Sequence, residues 1–142
     1  MTRISELRPA FVEHIPETFS NGVLYVSMMY ATAVHLCCCG CGEEVVTTLS
    51  PTDWQMTFDG RTVSLTPSVG NWNLACQSHY WIIKNRVVWS GLWSKRQIDA
   101  SRQAEERRKV AYFEGNPPAS TRPSRRASRF LARLMSIWNR PR

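Results

Sequence analysis

Trp54-Gln55-Met56-Thr57-Phe58-Asp59-Gly60-Arg61-Thr62-Val63-Ser64-Leu65 is the stretch on which the fold turns. Trp54, Met56 and Phe58 alternate with polar residues, Val63 and Leu65 alternate again, and an Asp-Gly pair separates the two runs. A period of two places the apolar side chains on one face of a pleated strand. Asp-Gly tolerates the positive φ values of a two-residue turn, so the stretch predicts a β-hairpin with Asp59-Gly60 at its tip. Toward the N-terminus, Gly22 precedes Val23-Leu24-Tyr25-Val26, a β-branched and aromatic run that predicts another strand. Toward the C-terminus, Tyr80 to Ile83 and Val87 to Trp89 predict a second hairpin that turns through Lys84-Asn85-Arg86. The expected fold class is mainly β, a small antiparallel domain.

At 142 residues, with 43% hydrophobic content and six Trp, the chain has the material for one core plus an appendage. The apolar stretches Val23 to Leu36 and Tyr80 to Trp89 are interrupted by polar residues. Both fall short of the roughly 20 residues that a membrane-spanning helix needs. The N-terminus carries Glu6, Glu13 and Glu17 without the basic-then-apolar order of a secretory signal, so a reducing, cytoplasmic location is expected.

Charge marks the boundary of the appendage. From Lys95 onward there are 13 Lys or Arg against four Asp or Glu, a net of +9, whereas residues 1–94 carry five basic against seven acidic side chains, a net of −2. Four segments are expected: a β-rich domain at 1–93 that holds all five cysteines, a surface helix at 94–114, a Pro-rich linker at 115–125 and a basic amphipathic helix at 126–142. Ser94 is a candidate N-cap for the first helix, whose apolar stripe of Ile98, Ala104 and Ala111 is thin. In the last segment Phe130, Leu131, Leu134, Met135 and Trp138 recur at helical spacing, with Arg125, Arg126, Arg129 and Arg133 largely elsewhere around the helix. This basic helical tail is the only part of the chain with the charge to attract nucleic acid or an acidic membrane surface.

In Cys37-Cys38-Cys39-Gly40-Cys41-Gly42, four of six residues are thiols. In a reducing compartment such a run indicates metal ligands rather than disulfides. Zinc takes four soft ligands at tetrahedral angles, which one short segment begins and a second completes. Cys76 is the only other cysteine, so Cys37, Cys39, Cys41 and Cys76 form the leading ligand set. A set containing Cys38, or one with His35 or His79 as fourth ligand, stays open. A closed four-cysteine site is structural, because it leaves no coordination position for water. Any chemistry must come from other residues.

The segment Pro67-Ser68-Val69-Gly70-Asn71-Trp72, followed by Cys76-Gln77-Ser78-His79-Tyr80-Trp81, supplies two serines and a histidine close to a metal ligand. A serine hydroxyl becomes nucleophilic when an imidazole can take its proton. Pro67 to Asn71 is expected to form a sharp turn that presents the Ser68 hydroxyl, with His79 in reach and His35 beside Cys37. Ser78 is the rival nucleophile, but neighbours on a strand point to opposite faces and cannot readily meet. Glu43 and Glu44 follow the cysteine run and either is placed to orient a histidine; the third member of a triad stays unassigned.

These residues also resemble a known family. Gly22-Val23-Leu24-Tyr25-Val26-Ser27, His35-Leu36-Cys37 with Cys39-Gly40-Cys41-Gly42, Ser64-Leu65 with Pro67 to Trp72, and Cys76 with Ser78-His79-Tyr80-Trp81-Ile82 together look like the bacterial domain of unknown function 6527. The resemblance covers roughly residues 10–92 and stops before the tail. It implies a zinc-containing serine peptidase encoded beside a ubiquitin-like protein with its activating and conjugating enzymes. It further implies structural zinc on Cys37, Cys39, Cys41 and Cys76, Ser68 as nucleophile, His79 as base, and His35 as the alternative base or orienting group. The expected partners are the ubiquitin-like modifier and its conjugates, together with the enzymes of the same operon. The competing expectation is a non-catalytic zinc adaptor that docks a protein partner.

Overall fold

The computed structural model describes residues 2–116, and among these the chain forms eight strands and one helix. It divides into two compact units, residues 1–103 and 104–142. The first contains two four-stranded sheets. One is ordered β1 (Arg8–Phe11), β2 (Val23–Ser27), β3 (Thr32–Leu36), β4 (Glu44–Thr48), and the other β5 (Gln55–Phe58), β6 (Val63–Gly70), β7 (His79–Ile83), β8 (Arg86–Trp89). Buried Leu24, Val26, Ala33 and Val45 from the first sheet meet Val63, Leu65, Val69, Tyr80 and Ile82 from the second in one core. This is the mainly β fold that the alternation predicts. Pairing is antiparallel except between β1 and β2, which run parallel.

Backbone bonds join the sheets along one seam: Leu7 N–H donates to Asn85 O and Val87 N–H to Ser5 O. On the opposite side a single bridge, Leu49 to Trp54, connects the end of β4 to the start of β5.

Both hairpins form where the sequence places them, and their turns differ in detail. In the first, Phe58 pairs with Val63 and Asp59 N–H donates to Thr62 O, so Gly60 and Arg61 are the central turn residues rather than Asp59-Gly60. Gly60 takes the positive φ of 96°. The Asp59 carboxylate accepts from the Arg61 and Thr62 amides and the Thr62 hydroxyl, a side-chain turn that wins over the expected dipeptide. In the second, Ile83 pairs with Arg86, leaving Lys84 and Asn85 as a two-residue turn with φ of 47° and 68°. Asn85 Oδ1 also accepts from Val63 N–H, tying this turn to β6.

The segment Pro67 to Gly70 is not the sharp turn expected from its composition; it is the second half of β6. The register slips between Leu65–Ile82 and Val69–Tyr80, so β6 has two more residues there than β7. An insertion of two keeps the inside-outside alternation. Val69 stays in the core, and Ser68 and Gly70 lie on the outer face.

The helix α1 spans Lys95–Gly115. Ser94 Oγ accepts from Gln97 N–H, and Gln97 Oε1 accepts from Ser94 N–H, a reciprocal cap. None of its residues is buried, as its thin apolar stripe implies. No helix among the described residues is long and apolar enough to cross a membrane. The expected helix at 126–142, and the linker from residue 117 on, lie outside the described residues.

Candidate active site and metal centre

The cysteine run forms the connection between β3 and β4. Cys37 N–H donates to Glu43 O at its base and Gly40 N–H to Cys37 O within it. Gly40 and Gly42 have φ of 87° and 83°, values that side-chain-bearing residues rarely adopt. Cys76 arrives from the loop between β6 and β7, which Asn71 N–H to Ser78 O closes. The Sγ atoms of Cys37, Cys39, Cys41 and Cys76 all lie within 4.8 Å of one another. Cys37 Sγ is 3.5 Å from that of Cys39 and 3.8 Å from that of Cys76. A tetrahedral thiolate site with metal–sulfur bonds of about 2.3 Å has sulfur–sulfur edges of about 3.8 Å, so this donor set fits a thiophilic ion. The centre links the tips of two hairpins, one from each sheet.

Cys38 points elsewhere. It is fully buried in the core, and burial pushes its thiol up to about 12. Neither histidine belongs to the sulfur cluster.

On β6 and β7 the outer face brings Ser68 and His79 together, with Oγ and Nε2 2.8 Å apart. Alternation explains why this pair and not Ser78 forms: the Ser78 hydroxyl lies 3.0 Å from Cys37 Sγ, where it can donate to a thiolate. Asn71 Nδ2 donates to Ser78 Oγ at 2.8 Å and approaches Cys37 Sγ at 3.6 Å. Ser78 and Asn71 thus brace the thiol cluster, while the residue after Ser78, His79, meets the hydroxyl of Ser68.

His79 is 5% exposed although it stands on the outer face, because two tryptophans cover it. Trp93 meets it edge to face, with ring centroids 4.5 Å apart, and Trp72 lies at 4.9 Å; the indoles stack on each other at 5.6 Å. Burial lowers the His79 pKa below its ordinary value, which keeps the imidazole neutral and able to accept a proton. Its Nδ1 is buried without a hydrogen-bond partner. The arrangement is a Ser–His pair, and Glu43 and Glu44, each a candidate to orient a histidine, are exposed residues just before and at the start of β4 that make no bond to it.

His35 does not join this pair. Its Nε2 lies 2.8 Å from Tyr80 Oη. Tyr80 Oη also accepts from Cys38 N–H and Asn71 Nδ2, so His35, Tyr80 and Asn71 form one buried network. Burial pushes His35 down to about 4. The expected base or orienting role therefore gives way to a core network beneath the metal loop. Composition did not single out Trp72, Trp93, Asn71 or Tyr80; the one available signal was the aromatic density around the Ser68 and His79 segments.

No curated protein and no solved structure matches the chain. A family model does, over residues 11–90, more than half of the chain. Its name differs from that of the family the motifs resemble, and its description agrees with that resemblance on both system and activity class. The chain belongs to the bacterial ubiquitination-like system serine protease family, BubE.

Proposed function

We propose that this protein is a peptidase that cleaves a ubiquitin-like modifier from a C-terminal extension or from a conjugate, with Ser68 as nucleophile and His79 as general base. The observation that carries the reading is the 2.8 Å contact between Ser68 Oγ and His79 Nε2 in a chain of a serine protease family. The Ser68 proton passes to His79 Nε2 as Oγ attacks the scissile carbonyl. The protonated imidazole then donates to the leaving group, and water, deprotonated by the same ring, hydrolyses the acyl-enzyme. Among the described residues no carboxylate meets Nδ1, and the packing of Trp72 and Trp93 orients the imidazole.

The four thiols hold zinc in this reading. Bound there, the ion supplies cross-linking of the two hairpins rather than a catalytic water. Asn71 and Ser78 tie the centre to the strand end that carries His79. The protein acts in the cytoplasm, with the modifier as its principal partner and the basic tail contributing any attraction to acidic surfaces.

The test is labelling of the full-length protein with a fluorophosphonate probe, alongside cleavage of the system's own ubiquitin-like protein carrying a C-terminal reporter. Labelling at Ser68 with release of the reporter is the expected result. A folded protein that does neither has another function.

A further inference from the structure

Beside the Ser–His pair the two sheets part and leave a groove of about 190 Å³. Two of its walls are runs of consecutive residues, Glu44 to Thr47 on β4 and Val69 to Asn71 at and just beyond the end of β6, and Trp54, Asn73 and Leu74 complete the lining. Consecutive residues of a strand point to opposite faces, so a surface lined by all of them is a backbone edge. β4 is the last strand of its sheet. β5 accompanies β6 only as far as the Gln55–Thr66 pair, so among the described residues no strand pairs with the second half of β6 on that side.

The bonding pattern identifies which amides face the groove. On β4, Leu49 N–H donates to Ala31 O and Glu43 O accepts from Cys37 N–H. Antiparallel pairing alternates, so Val45 and Thr47 bond inward to β3 while Glu44 and Val46 turn N–H and C=O outward. Thr48 O, next in the outward series, accepts from Trp54 N–H where the sheets touch. On β6, Asn71 bonds to Ser78, so Val69 faces β7 and Gly70 turns its backbone groups outward. The partner of Gly70 confirms the phase: His79 O accepts from Ser90 N–H on its far side.

We infer that this groove binds an extended polypeptide as an added strand, held by the outward amides and carbonyls of Glu44, Val46 and Gly70, and delivers its scissile bond to Ser68. The inference rests on the peptidase reading for the nature of the occupant. The outward backbone groups of Glu44 and Val46, two residues apart on β4, and those of Gly70 across the groove are chemistry that an extended backbone satisfies. The volume is below the roughly 300–1,000 Å³ of small-molecule pockets, which favours a slender chain over a compact ligand. Continuity with the catalytic pair completes the case, because Gly70 is two residues from Ser68 on the same strand. A modifier with a flexible C-terminal tail, rather than a folded surface loop, is the substrate class this groove fits.

Binding can be read apart from chemistry in the Ser68→Ala protein. A fluorescein-labelled synthetic peptide carrying the C-terminal tail of the system's ubiquitin-like protein should bind it. Methylating the peptide amides one at a time should weaken binding about tenfold at alternate positions and little at those between. Val46→Pro removes one outward N–H from an edge strand without touching the β3–β4 ladder, and should weaken binding by about the same factor while Val46→Ala does not. No binding, or binding indifferent to methylation and to Val46→Pro, overturns the groove. Alternating sensitivity in a protein whose wild type is not labelled by fluorophosphonate keeps the groove and removes the peptidase reading.

Discussion

The Ser68 hydroxyl and the His79 imidazole meet at 2.8 Å across two strands, and the other nitrogen of that imidazole meets no acceptor among the described residues. The pair joins a hydroxyl to an imidazole under a roof of two indoles, with no carboxylate on the imidazole among the described residues. Ser68→Ala should abolish fluorophosphonate labelling and cleavage, and His79→Ala should lower kcat/KM by about 10²–10⁴-fold, each with the metal content unchanged. Elemental analysis beside the kinetics checks both. A His79→Ala protein that loses metal would assign the histidine to the cluster instead.

The acid limb of the rate profile follows from the burial of His79. Its pKa lies below the ordinary 6.5, so the base is neutral, and the enzyme active, to a lower pH than an exposed histidine allows. As pH falls through the lowered value the ring protonates and kcat/KM declines. Trp93→Ala uncovers the imidazole and should move that limb upward toward 6.5. A limb that does not move shows that burial by Trp93 is not what shifts the group.

Gly70 and Trp72 offer a test of positioning without changing a reacting group. A Cβ added at Gly70 would sit 2.5 Å from Trp72 Nε1 and 2.7 Å from its Cε2, so Gly70→Ala must push the indole off His79. Cleavage should fall about 10²-fold. Metal content should stay at wild-type level, and Trp72→Ala should give the same loss in kcat with no added effect of the Gly70 change. Additive losses in the double variant would place the glycine's role elsewhere.

The metal centre is checked by substitution within the cysteine run. Cys39→Ser or Cys76→Ser should lose the ion and the cooperative melting transition together, because binding and folding are coupled in such sites. Cys38→Ser should keep the ion at about one per chain. Its cost, about 1–3 kcal/mol, comes from placing a hydroxyl in the core. Zinc is the expected metal, and metal-free protein with unchanged melting would remove the site.

His35 makes stability depend on pH in a defined window. In the unfolded chain it takes up a proton near 6.5, and in the native core only near 4. Between those values the unfolded state binds more protons, so stability falls as pH drops from about 6.5 to 4, by about 3 kcal/mol at most. Denaturant melts of the wild type and His35→Gln at pH 7 and pH 4 read the difference. Equal slopes in the two proteins would show that the histidine is not the linked group.

The sequence by itself determined the β character, both hairpins, the capped helix and the four thiols, because each is written in local chemistry: alternation, turn residues, a capping pair and ligand spacing. It also placed Ser68 and His79 in one neighbourhood through the resemblance carried by their motifs. The roles of the remaining polar residues were decided only by tertiary structure. His35 and Glu43 each lie two residues from a cysteine of the cluster, yet strand alternation sends His35 inward to Tyr80 and leaves Glu43 in solvent. Trp93, 14 residues beyond His79, covers it because the chain folds back over β7 after β8. The outward backbone groups of β4 and of Gly70 line one groove only because β5 begins at Gln55, opposite Thr66, and the sheets meet again at Trp54. Pairing of strands distant in the chain is a property of the assembled sheets, and no local pattern carries it.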